Sequence, residues 1–317
     1  MEEVVMVSAV RTAVGKIGGA LKDVLPEDLA ALVIREAIQR SGAEIKKPDE
    51  VIFGHGKQSA DNPNIARLSA LKAGLPVEVP GYTVHRQCGS GLQAILNGAH
   101  QIALGLSEVV VAGGVESMST APYYSRHVRF GAMAGNVLLL DPNTESQFRS
   151  QPANVYGELT MGVTAENLAV KYGISREEQD QFAFQSQERA LAAIEAGKFQ
   201  EEIIPVPIPK RKGEIAYFSV DEHPRKTSPE ALAALRPVFK QNGSVTAGNS
   251  SGRNDGASAL LLMSARKAEE LGLKPWARIV SEGVAGVSPE IMGIGPVGAT
   301  QQALERAGLT LDEIELV

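Results

Sequence analysis

The apolar residues of the chain alternate between two spacings over its first third. Val4–Val10 is a β-branched run that reads as a strand. Pro26–Arg40 then places Leu29, Leu32, Val33 and Ala37 at helical spacing, with Pro26 suited to a first turn and Gly42 to a stop. Val51–Phe53 predicts a second strand and Asn64–Ala73 a helix closed by Gly74. Tyr82–Arg86 reads as extended. Gly89–Leu106 reads as a helix of small residues (Ala94, Gly98, Ala99, Ala103), and Val109–Val115 as a buried strand. Strands separated by helices imply an α/β fold with right-handed crossovers and a helix-covered sheet.

From Ser117 to about Thr246 the pattern breaks into proline-rich and polar turns. Two helices stand out, Gly162–Tyr172 and Arg176–Ala196, the second entered through Ser175 with Glu178 at capping-box spacing. So long an irregular stretch is usually functional, and it predicts a subdomain over the active face. Beyond it, Ala259–Met263 predicts a core strand, Ala265–Leu271 a helix, Trp276–Glu282 a strand, Val297–Ala307 a helix and Ile314–Val317 the start of another strand. A strand, a glycine-containing loop and a helix open both the chain and the segment from Trp276, which fits two similarly folded halves.

Composition narrows the function classes. The 317 residues are 44% hydrophobic and 21% charged, as in ordinary globular proteins. No apolar run reaches the roughly 18 residues of a membrane helix, and the acidic start, Glu2-Glu3, is unlike a signal peptide. The net charge is −6, and Lys210-Arg211-Lys212 is a short cluster that reads as a solvated turn, so neither nucleic acid nor a membrane is an expected partner. A lone cysteine, Cys88, forms no internal disulfide and is compatible with a reducing, cytoplasmic setting.

The candidate chemistry centres on that cysteine. In Tyr82-Thr-Val-His-Arg-Gln-Cys88-Gly-Ser-Gly-Leu-Gln-Ala-Ile95 a strand ends, a cysteine follows and a small-residue helix begins. Free backbone N–H groups and the positive dipole at a helix start favour a thiolate, the form that acyl transfer needs. Gly89 and Gly91 leave room for a bulky thioester. On these residues alone, a buried structural cysteine is an equal reading. A phosphate-cradling loop fails, for want of a Gly-Lys-Ser/Thr ending.

Five stretches, in order, carry a resemblance that spans essentially the whole chain. They are Ser8-Ala-Val-Arg-Thr-Ala-Val-Gly-Lys16, Cys88-Gly-Ser-Gly-Leu-Gln-Ala-Ile95, Ala112-Gly-Gly-Val-Glu-Ser-Met-Ser119, Val245-Thr-Ala-Gly-Asn-Ser-Ser-Gly-Arg-Asn-Asp-Gly256 and Pro289-Glu-Ile-Met-Gly-Ile-Gly-Pro296. Together they resemble the thiolase family, which includes acetyl-CoA C-acetyltransferases and 3-ketoacyl-CoA thiolases. The resemblance implies a layered αβαβα arrangement of two βαβαβαββ halves with an inserted loop domain. On that pattern residues 1–118, completed by 246–270, form the N-terminal half, 119–245 the loop domain that binds coenzyme A, and 271–317 the start of an incomplete second half.

The implied reaction is thiolytic cleavage of a 3-ketoacyl-CoA, or the reverse Claisen condensation, through an acyl thioester on Cys88. Acyl-CoA is then a substrate rather than a resident cofactor, and no metal is expected. By motif, Arg225 of Asp221-Glu-His-Pro-Arg225 lies near the adenine and phosphate end of coenzyme A. Phe239, Ala247 and Ser251 line the pantetheine path, and Met161 and Met292 wall the acyl pocket. Read without the resemblance, Arg225 is a solvated charge, Phe239 and the methionines are core residues, and Ser251 is a turn residue. Pro122–Leu140 and the sheet edge resemble family segments that form homodimers or homotetramers.

The sequence also departs from the family. An Asn-Glu-Ala-Phe motif, a Gly-His-Pro histidine and a second cysteine are absent, and the five histidines (His55, His85, His100, His127, His223) lie in other contexts. Leu311-Asp-Glu-Ile-Glu-Leu-Val317 resembles the approach to the asparagine motif, so the chain is expected to be truncated and inactive alone. His85 sits where many thiolases carry asparagine. Its three-residue offset from Cys88 along a strand turns it to the opposite face. Thr160 replaces the histidine that many short-chain members place before the pocket methionine. Two rivals are a ketoacyl-synthase-like condensing enzyme on the same fold and a non-catalytic acyl-CoA or lipid binder.

Overall fold

The computed structural model describes residues 2–210 and 213–317; Arg211 and Lys212 of the basic cluster lie outside them. In chain order the elements begin β1 (Val4–Thr12), β2 (Gly15–Lys16), α1 (Pro26–Arg40), β3 (Glu50–Gly54), α2 (Ile65–Lys72), β4 (Gly81–Val84), α3 (Ser90–Ala103) and β5 (Val109–Ser117). The middle of the chain forms α4 (Pro142–Phe148), α5 (Ala153–Tyr156), α6 (Met161–Tyr172), α7 (Arg176–Glu195), β6 (Ile203–Ile204), β7 (Val206–Pro209), β8 (Ile215–Phe218) and α8 (Pro229–Ala233). Then follow β9 (Asn254–Ser264), α9 (Ala265–Glu270), β10 (Ala277–Arg278) and α10 (Gly295–Ala307).

Two compact units result. One comprises residues 1–121, 194–223 and 252–279, the other 122–193, 224–251 and 280–317. This division differs from the one expected at 118, 245 and 270. Residues 194–223 join the first unit because β6 pairs with β1 and Ile204 and Val206 enter its core. Residues 271–279 join it because β10 pairs with β1.

The first unit is built on a sheet of order β10-β1-β9-β5-β3-β4. β3 runs parallel to β4 and β5, whereas β9 lies antiparallel between β1 and β5. Both faces are covered, so the central strands read as unbroken apolar runs rather than alternating ones. Alternate residues still divide between the faces. Val51, Phe53, Val109, Val111, Leu261 and Met263 pack with α1 and α2, while Ile52, Val110, Ala112 and Leu262 pack with Ala94, Ala99 and Ile102 of α3. Small residues bring α3 close to the sheet: a Cβ on Gly98 would stand 2.9 Å from Val110 Cγ1.

An ion pair ties the β7–β8 region to the sheet. Arg11 of β1 donates to both oxygens of Asp221, at 2.8 and 3.0 Å, and to Glu202 at 2.7 Å. Asp221 also accepts the Val14 N–H at 2.7 Å. Burial pushes the Asp221 carboxyl up, but the Arg11 guanidinium and the Val14 N–H outweigh it and hold the group below the ordinary carboxylate range. A depressed carboxyl contributes stability that is present above its unfolded value, about 3.9, and lost as pH falls through the folded one. Asp221→Asn should therefore melt earlier than the wild type at pH 7, and the gap should close below roughly pH 4. Thermal unfolding followed from neutral to acid pH checks this; a gap independent of pH contradicts it.

The second unit is helical, with the inter-helix turns folded onto α6, α7 and α10. Thr160 caps α6, its Oγ1 accepting the Val163 N–H at 3.3 Å. Ser175 and Glu178 form the expected reciprocal cap of α7, the Ser175 N–H donating at 2.7 Å and the Glu178 N–H returning at 3.2 Å. Two sequence expectations need correction. The strand foreseen over Trp276–Glu282 is confined to Ala277–Arg278 in the first unit. Residues past Ile279 turn to α10 instead, where Ser281 Oγ donates to the Ala303 carbonyl at 2.7 Å. Nor is Ile314–Val317 a strand: it follows a 3₁₀ turn, Leu311–Glu313, and no described strand offers it a ladder.

Candidate active site

Cys88 lies on the turn between β4 and α3 and is exposed to solvent. The helix begins at Ser90 with Gly89 as its N-cap and no capping side chain, so its first N–H groups face the turn without an intrahelical acceptor. Gln87, immediately before the cysteine, has φ of +46°, in the left-handed region that a residue with a Cβ rarely adopts. Ser90 holds this conformation. Its Oγ accepts the Arg86 N–H at 2.8 Å and donates to the Gln87 carbonyl at 2.6 Å, and the side chain is buried. Gly89 and Ser90 N–H groups close the turn onto the Arg86 and Gln87 carbonyls at 3.0 and 3.1 Å. The result is a sharp, pinned bend on which Cys88 is exposed, along with His85, Arg86 and Gln87 before it.

The floor beneath the bend is made of backbone. A Cβ on Gly54, the last residue of β3, would come within 2.3 Å of Gly91 N, and one on Gly114 of β5 within 3.1 Å of Gly91 Cα. Only glycines allow α3 to start this close to two strand ends. Beside them, the Glu116 carboxylate accepts the Gly56 and Lys57 N–H groups at 2.9 and 3.0 Å, and buried His55 Nε2 stands 3.3 Å from it. The sequence reading flagged Cys88, Gly89 and Gly91 but missed Gly54, Ser90 and Glu116 as parts of the support. Ser90 and Glu116 do lie inside recognised motifs, yet nothing local says what either one holds. His85 is exposed and lies on the turn after β4 rather than on the strand itself.

The other predicted residues all belong to the second unit. Met161 opens α6 and is half-exposed. Phe239 lies flat on the next residue, Gly162, where a Cβ would meet the ring at 2.1 Å. Met292 sits in a 3₁₀ segment, Pro289–Ile294, that packs on α6, with Asn167 Nδ2 donating to the Glu290 carbonyl at 3.0 Å. Arg225 is exposed, and its backbone N–H donates to Gln187 Oε1 of α7 at 2.9 Å. Ala247 and Ser251 are exposed on the loop after Ser244, whereas Val245, Thr246 and Gly248 are buried. Met161, Phe239 and Met292 thus share the surroundings of α6. None of the three is fully buried, as a core role for them would require.

A doubly covered α/β sheet carries an exposed thiol on a pinned turn at a helix start, the kind of side chain that cysteine-dependent group transfer uses. Sequence profiles give this chemistry its particular form: the thiolase N-terminal domain matches residues 4–266 and the thiolase C-terminal domain residues 273–317. The chain belongs to the thiolase family and is an acyltransferase of the thiolase type. It is 50% identical to an acetyl-CoA acetyltransferase of Pseudomonas aeruginosa over 100% of this chain and 80% of that protein. The crystal structure of the Bacillus anthracis acetyl-CoA acetyltransferase matches with a TM-score of 0.95 and 49% identity, over 100% of this chain and 79% of that one. Human mitochondrial 3-ketoacyl-CoA thiolase matches with a TM-score of 0.92 and 43% identity, over 99% of this chain and 79% of that one. The fold is therefore the thiolase fold. Among the described residues, no helix is long and apolar enough to cross a membrane.

Proposed function

We propose that Cys88 is the residue that carries the acyl group, and that coenzyme A thioesters such as acetyl-CoA or a 3-ketoacyl-CoA are its substrates. The observation that carries this reading is the exposed thiol on a strained, serine-pinned turn at the start of α3. The Cys88 sulfur attacks the thioester carbonyl, the bond between that carbonyl and the coenzyme A sulfur breaks, and coenzyme A leaves as the thiol, carrying the proton that Cys88 gives up. The positive end of a helix suits the charge that develops on a nearby oxygen.

The second unit would hold the coenzyme A. Arg225 suits its phosphates because a guanidinium stays charged and forks its donors. Phe239, Ala247 and Ser251 would contact the pantetheine arm, and Met161 and Met292 the acyl group. Coenzyme A comes and goes as a substrate in this reading, so nothing needs to stay bound between turnovers. A solvent-exposed catalytic thiol is best served by a reducing compartment, which favours the cytoplasm. Exposed Phe130, Met133, Leu138 and Leu139 in Pro122–Leu140 favour self-association through that segment, as a homodimer or homotetramer.

The test is chemical. Iodoacetamide should alkylate Cys88, acetyl-CoA should slow that reaction, and mass spectrometry after incubation with acetyl-CoA should find one acetyl group on Cys88. Arg225→Ala should weaken the protection about tenfold, as expected for a lost charged hydrogen bond. A thiol that acetyl-CoA neither shields nor acylates would leave a non-catalytic binder as the better reading.

A further inference from the structure

Two buried carboxylates stand out in the second unit, Glu166 of α6 and Asp180 of α7, at 2% and 7% exposure. They come from different helices, yet both point at one short loop. Glu166 Oε1 accepts the N–H groups of Ser244 and Val245 at 2.9 and 2.8 Å, and Oε2 accepts Ser244 N–H and Oγ–H at 3.0 and 3.3 Å. Asp180 Oδ1 accepts Asn249 Nδ2 at 2.9 Å, and its other oxygen is neutralised by Arg176 at 2.7 Å. Asn249 then closes the loop on itself, donating to the Ser244 carbonyl at 3.0 Å and accepting the Thr246 N–H at 2.7 Å.

Glu166 makes no ion pair with any described basic side chain, so its charge is met by loop donors. Burying a carboxylate in this way is unfavourable unless every oxygen is satisfied, and an apolar residue would hold two helices together at lower cost. What the carboxylates add is shape. Gly243 must pass so close that a Cβ there would stand 2.2 Å from Glu166 Oε1. Val245, Thr246 and Gly248 are drawn inward, and Ala247, Ser250 and Ser251 are left outward.

We propose that Glu166 and Asp180 are positioning residues for coenzyme A: they fix the 244–249 backbone so that Ala247 and Ser251 present a preformed edge to the pantetheine arm. This rests on the reading of that loop as a coenzyme A surface. The test is calorimetric titration of the 317-residue protein with coenzyme A itself, with circular dichroism and thermal unfolding as the control for the fold and iodoacetamide alkylation of Cys88 as the control for the nucleophile turn. Glu166→Ala should bind coenzyme A about tenfold more weakly, the equivalent of one buried hydrogen bond, with Cys88 alkylation unchanged. Glu166→Gln keeps one oxygen to accept the Ser244 and Val245 N–H groups and offers an NH2 that the Ser244 hydroxyl can turn to accept, so it should stay within about threefold of wild type. Should Glu166→Ala fail to fold, Asn249→Ala, which removes no buried charge, should lose at least about fivefold.

Wild-type affinity in Glu166→Ala, or in Asn249→Ala, together with loss in Phe239→Ala, would overturn the positioning role while leaving the surface intact. Glutamine no better than alanine would overturn it too. Wild-type affinity in Phe239→Ala as well would instead remove the coenzyme A reading of the surface.

Discussion

Gly54→Ala is expected to slow acylation of Cys88 by acetyl-CoA about a hundredfold and to lower stability by roughly 3 kcal/mol. The added methyl would lie 2.3 Å from both Gly91 N and the Ser90 carbonyl carbon, and 2.5 Å from the Ser90 carbonyl oxygen. All three are backbone atoms, so no rotamer change relieves the collision. Restoring ordinary contact requires the first turn of α3 to retreat from β3 by about 1 Å, the scale of misplacement that costs catalysis two orders of magnitude. Rates of acyl-enzyme formation by mass spectrometry, with chemical denaturation alongside, measure both effects. Gly286→Ala is the control, since a Cβ there meets nothing within 4 Å. Matching behaviour of the two variants would show that the close approach of β3 and α3 does not hold the nucleophile turn.

Ser90→Ala should cost about tenfold in the same acylation rate and roughly 1–2 kcal/mol in stability. Its hydroxyl joins the Arg86 N–H to the Gln87 carbonyl, at 2.8 and 2.6 Å, across the residue at positive φ. Without it, Gln87 can relax toward a negative φ, which rotates the following peptide and takes Cys88 with it. Gln87→Gly should act in the opposite sense on stability, because glycine adopts this conformation without the roughly 1–2 kcal/mol penalty of a side chain. Unfolding curves for the two variants distinguish a turn under strain from a relaxed one. Equal stability of Ser90→Ala and wild type would mean the hydroxyl pins nothing.

Much of the fold is written locally. The periodicity of Leu29, Leu32, Val33 and Ala37 yields α1 with the expected ends, Pro26 and Arg40. The helix expected over Asn64–Ala73 is α2, one residue shorter at each end, with Asn64 as its N-cap and the Asn64 side chain accepting the Arg67 N–H at 3.2 Å. The strand-to-helix passage around Cys88 was equally legible, because it needs only an apolar run, a short turn and a run of small residues. The identity of the strand neighbours was not. β9 inserts between β1 and β5 from far along the chain, and pairing Ala259 with both Val10 and Gly113 is a choice no local pattern encodes.

The same boundary runs through the site. Sequence alone determined that one thiol would sit where a strand gives way to a helix, since element type and turn chemistry depend on residues a few positions apart. Only the tertiary structure decided what supports that thiol and the loop after Ser244. The packing of Gly54 on Gly91, the clasp of the Ser90 hydroxyl on Gln87 and the reach of the Glu166 carboxylate to Ser244 depend on which groups the folded chain brings together. Except for the Ser90 clasp, these contacts join segments distant in the chain, and long-range closure selects them.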